Sequence, residues 1–410
     1  MNPLRIFLLA ALILVVFGAD NVEADEPEWN YVVEPASDTY FWQSSFKPSA
    51  ISADGQYIVS STASTVYFFD KITNVPLWTY DLNGSMITSL AISSDGSYIA
   101  VGTAASDSNL YLFDKDSSNP IWNYTTGRTI MSVSISANGE YIIANSYTGL
   151  LGYEMYLFNN KNNTPLWNVT SYFKIYSNTP SNSGQFSLVM NLPQTNSISF
   201  FSNNIDIPLW TYNYSNSLGL VDISNTGEYV VISTENRTNS EFSIFLFHKE
   251  SNIPLWKSEM KHISNYVTSL EISSNGEYIL LNTYEGFYLF HKGSNVPLWK
   301  YVGDATNLIQ RTYSTDAFSA DGNHFVTIID SDSLFLFETE NPDAIWSYDF
   351  GDSVSSVAIS TDGHYLVSGT NMTLSFFKIY DHSIDESSLP SISLLTSLIS
   401  IGLIAIFRRK

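Results

Sequence analysis

Cysteine is missing from all 410 residues, which excludes a disulfide framework, a thiolate metal site and a cysteine nucleophile. Stability has to come from packing, and a chain this long can bury enough core to do without staples. Positive charge is scarce as well: 18 Lys and Arg stand against 40 Asp and Glu, for a formal charge of −22. Such a surface repels nucleic acid phosphates and anionic headgroups over most of its area, so nucleic acid is excluded as the main partner. Helix-forming stretches rich in Ala, Leu, Glu and Lys are also missing outside the two ends. Aromatic residues are plentiful instead, with 26 Tyr, 25 Phe and 9 Trp, a balance that favours strands.

Those aromatics are periodic. Seven tryptophans, Trp78, Trp122, Trp167, Trp210, Trp256, Trp299 and Trp346, recur at intervals of 43 to 47 residues, and six of the seven directly follow Pro-Leu or Pro-Ile. Each is preceded by a short run of Tyr, Phe and Leu that alternates like a strand, as in Val66 to Asp70 and Leu110 to Asp114. Further upstream in each unit lie two strand-like runs joined by a tight turn. The turns are Asp54-Gly55, Asp95-Gly96, Asn138-Gly139, Ser183-Gly184, Thr226-Gly227, Asn275-Gly276, Asp321-Gly322 and Asp362-Gly363. Asp-Gly and Asn-Gly tolerate the positive φ of a hairpin turn, so the recurring Asp is read as turn chemistry and not as a calcium or catalytic residue.

Eight turns against seven Trp units is reconciled at the N-terminus. Trp29-Asn30-Tyr31 matches the strands that close the other repeats, such as Trp78-Thr79-Tyr80. The last unit, Val354 to Ile379, has three strands and lacks its closing one. The expectation is an all-β fold: a single eight-bladed β-propeller over residues 25–380, whose final blade is completed by the strand around Trp29 so that no edge stays open. A seven-bladed ring is the alternative, because the fourth unit, residues 172–212, is the most degenerate.

The segment Asp70-Lys71-Ile72-Thr73-Asn74-Val75-Pro76-Leu77-Trp78 resembles the tryptophan-docking repeat of the quinoprotein-like (PQQ-like) propellers, with Asn74 where that family has Gly. The Ser-x-Asp-Gly-x-Tyr-Ile hairpins are more similar to WD40-type repeats. The resemblance implies a propeller; it implies little about function, because such rings host enzymes and scaffolds alike. Quinone-dependent members use calcium held by acidic and amide side chains, and no segment here matches those ligands. The expectation is therefore no catalytic residue, no metal and no cofactor, as in the non-catalytic members.

Residues 1–24 place Arg5 before the apolar run Ile6 to Phe17 and end with Val22 and Ala24 at positions suited to signal peptidase. They read as a signal peptide, with an uncleaved anchor as the alternative. Residues 381–391 form a linker, 392–407 an apolar segment and 408–410 a basic end, Arg408-Arg409-Lys410. That order suits a transmembrane helix with a cytoplasmic basic tail, leaving the propeller extracytoplasmic at the cell surface. It also resembles the sorting tails of surface proteins that archaeosortase-like or exosortase-like enzymes process.

Ligands of such rings meet the loops joining second to third strands and one blade to the next. In so acidic a chain the cations there, Arg128, Arg237, Lys261 and Arg311, are candidate ligand-binding residues, with Tyr147 and Tyr284 as stacking partners. Asp330 and Asp332 fall short of the ligand count of a calcium site, and His248 and His291 read as structural. Sequons at Asn83, Asn123, Asn162, Asn168, Asn213, Asn236 and Asn371 are candidate glycosylation sites, with chance as the rival in a chain rich in Asn, Ser and Thr. Two functions from different classes follow. The leading one is a membrane-anchored binding or scaffold module for a protein or surface glycan; the other is an exported quinone- or metal-dependent oxidoreductase or hydrolase.

Overall fold

The fold was analysed in a computed structural model. It describes residues 26–33, 47–104, 107–147, 149, 152–171, 175–177, 179–181, 183–192, 196–202, 207–236, 241–261, 267–283, 286–302, 317–329 and 331–379. Residues 1–24 and 381–410 lie outside them. Among those described, no helix is long and apolar enough to cross a membrane.

The described residues form eight four-stranded antiparallel sheets. Blades 1 to 7 span residues 47–81, 87–125, 129–171, 175–213, 217–261, 267–302 and 317–349, and blade 8 spans 356–378. In blades 1 to 7 the four strands follow chain order. Blade 8 takes its fourth strand from Trp29–Val32, paired antiparallel with Thr373–Lys378 in the register Trp29 to Phe376 and Val32 to Thr373. The predicted ring closure is therefore observed, and the count is eight. First strands of neighbouring blades pack together around the centre, and fourth strands form the rim.

The repeat motifs explain how blades hold each other. In each Ser-x-Asp-Gly-x-Tyr hairpin the serine is buried and acts as a latch. Ser52 Oγ donates to Asp54 Oδ1 at 2.7 Å and accepts from Tyr57 N at 2.9 Å, and Asp54 Oδ1 accepts from Gln56 N. The same set recurs at Ser93, Ser136, Ser273 and Ser360. Burial by itself would raise the Asp95 carboxyl, but donors from Ser93 and Ser97 outweigh it and hold the group below its ordinary value.

The glycine serves twice. Gly96 has φ +73°, and a Cβ there would sit 2.4 Å from Cδ2 of Tyr57, which reaches across from blade 1. Gly55 meets Tyr365, and Gly139 meets Tyr98, in the same way. Turn chemistry and blade-to-blade packing thus demand the same residue.

The tryptophan docks forward by one blade. Trp78 stacks on Phe68 of its own blade and Phe113 of the next, with centroids 5.1 and 5.5 Å away, and its Nε1 donates to the Lys115 carbonyl at 2.8 Å. Trp122, Trp210, Trp256 and Trp299 repeat that bond, and Trp29 makes it to Lys71, so the closing strand obeys the same rule. Asn74, the departure from the quinoprotein-like pattern, donates Nδ2 to the carbonyl of Asn30 on the outer strand of the preceding blade, as do Asn163, Asn252 and Asn295 to Asn123, Thr211 and Lys257. These bonds occupy edge carbonyls that would otherwise invite strand addition. His248 and His291 stand where others have Asp70, and their Nδ1 atoms accept the same turn amide, from Glu250 N at 3.4 Å and Gly293 N at 3.1 Å.

Candidate functional site

In a sheet of four antiparallel strands the first-to-second and third-to-fourth connections lie at one end, and the second-to-third and blade-to-blade connections at the other. The first end is uniform, built from the latches and docking loops above. A belt of backbone bonds joins its turns around the central channel: Thr361 N to Ala53 O, Ala53 N to Ser94 O, Ser94 N to Ala137 O, Thr226 N to Ser274 O and Asp321 N to Thr361 O, at 2.9 to 3.3 Å.

The second end differs from blade to blade. Second and third strands run five or six residues in blades 1, 2, 6, 7 and 8, but seven each in blade 3 (Tyr141–Tyr147, Tyr153–Asn159) and eight each in blade 5 (Tyr229–Asn236, Glu241–His248). Those two hairpins project past the rest. At the tip of blade 3 Thr129 pairs with Tyr147, so Arg128 lies one residue from that cross-strand pair, at the same end of the blade. Arg128 and Tyr147 are both exposed, Tyr147 to 44%. Tyr147 packs on Tyr153 at 5.2 Å, and Glu154 next to it accepts from the Tyr156 hydroxyl and from Thr170 Oγ1. Burial first, and that bond second, push the Tyr156 phenol up, so it stays a donor at any physiological pH. Blade 2 carries a related network: Tyr111 donates to Asp107 at 2.6 Å and is pushed up to about 12, by burial and then by Asp107.

Of the other candidates, Lys261 ends the outer strand of blade 5 at the same face, paired with Glu241. Arg237, Tyr284 and Arg311 lie outside the described residues. Arg128 and Tyr147 thus lie at the same tip of blade 3 through the register of Thr129 with Tyr147. Asn83, Asn123, Asn162, Asn168 and Asn213 are exposed, while Asn371 is half-buried and donates to Asp352 at 2.8 Å. Asn236 is the last residue of its strand.

The central channel holds a feature the sequence reading missed. Two residues before each latch serine, the first strands present Ala50, Ala91, Ser134, Ala317 and Ala358, all half-buried toward the channel. In blades 5 and 6 that position is Asp222 and Glu271. Aligning the repeats on the latch serine would have revealed the pair. Opposite them, a cavity of about 570 Å³ is lined by uncharged residues including Ala50, Ala91 and Ser134. Asp222 accepts from Ile272 N at 2.8 Å, yet burial dominates and raises its carboxyl to about 6. Two carboxylates do not meet the six to eight oxygen ligands of calcium, and among the described residues no group of three or more His, Asp or Glu is placed to hold a metal. The donor set therefore does not fit a calcium-dependent quinone site.

Residues 74–114 and 346–378 match the family model described as WD domain, G-beta repeat. Both stretches begin at or before the tryptophan strand of one blade and run through the third strand of the next, so the sequence repeat is offset by one strand from the structural blade. Among solved structures, the C-terminal WD40 domain of Sif2 superposes with a TM-score of 0.61 at 13% identity, covering 83% of this chain and 97% of that one. The Dos1 propeller gives 0.62 at 10% identity, covering 86% and 94%. A comparison with curated protein sequences finds no match. At such identities the likeness concerns the fold alone: the chain is an eight-bladed β-propeller that carries WD40-type repeat sequence and shares its architecture with WD40 propellers.

Proposed function

We propose that the chain is an extracytoplasmic, membrane-anchored propeller that acts as a binding or scaffold module for a protein or glycan at the cell surface, through its non-uniform face. The supporting observation is the contrast between the two ends. One repeats the same bonds in blade after blade, while the other raises the blade 3 and blade 5 hairpins and carries the exposed Arg128 and Tyr147 at the blade 3 tip. Propellers with WD40 repeats typically serve as protein-interaction scaffolds, and Tyr and Arg are common anchors of protein interfaces. In this reading residues 1–24 serve as the export signal and the apolar segment 392–407 as the tether.

A photo-crosslinking residue at position 147, introduced in the native cell, tests this. A discrete adduct on the intact surface that Arg128→Glu abolishes is the expected result. No adduct, or one indifferent to that charge reversal, would sink the loop-face reading. The oxidoreductase or hydrolase reading draws on Asp222 and Glu271 alone; for it, intact mass under native conditions should exceed the denatured mass by a bound group.

A further inference from the structure

Exposed aliphatic residues in this molecule are not scattered. Among the described residues fifteen large apolar side chains are exposed, and eleven belong to the loops joining third to fourth strands: Ile72, Val75, Leu77, Ile121, Leu166, Ile207, Leu209, Ile253, Leu255, Val296 and Leu298. Ile72 is 80% exposed and Ile253 72%. They occur in six consecutive blades, at the uniform end and on its perimeter, because the fourth strand is the outermost. The tryptophan beside each pair turns inward to dock on the next blade, and the chain alternation sends the preceding Leu or Ile outward. The loops are held by backbone bonds such as Leu77 N to Phe68 O at 2.7 Å and Leu255 N to Leu246 O at 2.7 Å, so the side chains stay presented. A fringe of this extent on a soluble face marks an interface.

Both ends of the described chain leave at this same face. Trp29 pairs with Phe376, and Lys378 pairs with Tyr365 just after the Asp362-Gly363 turn, so the fourth strand of blade 8 enters there and its third strand exits there. The apolar segment 392–407 begins thirteen residues beyond Ile379, a span of at most about 45 Å fully extended. Lys71, Lys115, Lys161, Lys249 and Lys292 sit in the same loops, where long stems can lie along apolar surface while the ammonium groups stay in water.

We propose that this aliphatic collar rests on the lipid bilayer, with the Leu, Ile and Val side chains of the docking loops entering its interfacial region and the non-uniform face directed away from the membrane. This rests on the reading of 392–407 as a bilayer-spanning helix. The make-up of the collar suits a flat, fluid surface: six of the eight blades offer one to three aliphatic side chains of the same kind and no aromatic anchor, whereas a folded partner would need a distinctive central anchor. The charge of −22 rules out attraction to anionic headgroups as the driving term, so the association is apolar and insensitive to salt.

The absence of native cysteine allows a direct test. Single-cysteine variants of the full chain, Leu77→Cys, Leu209→Cys, Leu255→Cys and Leu298→Cys, carry an environment-sensitive fluorophore and are reconstituted into phosphatidylcholine vesicles with brominated acyl chains. Tyr147→Cys serves as the opposite-face control and Leu395→Cys reports the tail. Loss of emission at the four collar positions and at 395, with none at 147 and no recovery at high salt, is the expected result. Quenching at 395 with none at the collar overturns the proposal and leaves the anchor standing. Quenching at neither removes both, and collar quenching without tail quenching removes only the anchor. Collar probes shielded from aqueous quencher yet untouched by bromolipid would identify a second copy or another protein as the occupant, which also overturns it.

Discussion

The two faces of the ring were built under different constraints. At the uniform face almost every motif residue has a partner in the neighbouring blade: Tyr57 over Gly96, Trp78 on Phe113 and Lys115, Asn163 on the outer strand of blade 2. At the other face the bonds that join blades lie at the strand entries, as from Ile87 N to Ala63 O and Thr88 Oγ1 to Ile130 O, while the side-chain networks of the hairpins stay within one blade, as in the Tyr111–Asp107 and Tyr156–Glu154 pairs. The contrast teaches where change is tolerated. A substitution in the docking loops is felt by two blades, whereas one at a projecting hairpin is felt by none but its own, so recognition can diversify there without opening the ring.

The comparison breaks most sharply at a tryptophan. Trp78→Ala removes a ring shared by two blades and should cost about 3–5 kcal/mol, read as a fall in the denaturant midpoint, while leaving any ligand bound at Tyr147 unaffected in the protein that remains folded. A midpoint unchanged within error would mean that docking is decorative.

Gly96→Ala comes next. A left-handed φ costs an L-residue about 1–2 kcal/mol, and overpacking against Tyr57 adds about 1–3 kcal/mol. Adding Tyr57→Ala should recover the second part and not the first, a coupling that a double-mutant cycle measures.

Asp222 sharpens the comparison through pH. Its folded-state value of about 6 lies above the ordinary 3.8, so between those values the folded chain holds a proton that the unfolded chain has released. The stability from this group is complete below about pH 4 and is lost as pH rises through about 6. Asp222→Asn keeps the acceptor for Ile272 N and cannot ionise. It should therefore stabilise the protein by up to about 3 kcal/mol at pH 7.5 and have little effect at pH 4, by thermal melts at both values. Equal effects at the two pH values would refute burial as the cause.

The smallest change in stability is expected at the projecting hairpin. Tyr147→Ala, at an exposed ring, should shift the midpoint by no more than about 0.5 kcal/mol while removing the proposed ligand contact. A larger loss of stability would assign the Tyr147–Tyr153 pair a structural role.

Much of the ring was legible from spacing. The third strands, the hairpin turns, the Trp-bearing strands and the closure by Trp29 all follow from repeated residues, because a motif that recurs eight times averages out local ambiguity. The fourth blade, whose first strand is only Ile175–Ser177, was hard to read for the same reason: its motif has drifted. Of the candidate site, Arg128 and Tyr147 were singled out separately, as a cation in an acidic chain and an aromatic in a loop. That both lie at one hairpin tip depends on the cross-strand register between Thr129 and Tyr147. Asp222 and Glu271 went unnoticed because their meaning lies in facing a common channel, and a carboxylate on a strand looks like any solvated charge.

The sequence by itself determined the period and the turn chemistry, since these rest on local φ preferences and on alternation within a few residues, while it left eight blades against seven for the sheets themselves to decide. Only the tertiary structure decided that the glycine must also make room for a tyrosine of the preceding blade and that two acids share the channel wall. It also decided that eleven aliphatic side chains share one end of the ring with both ends of the described chain. Each of these depends on contacts between residues some 40 or more positions apart, which closing the ring brings together and the order of residues does not show.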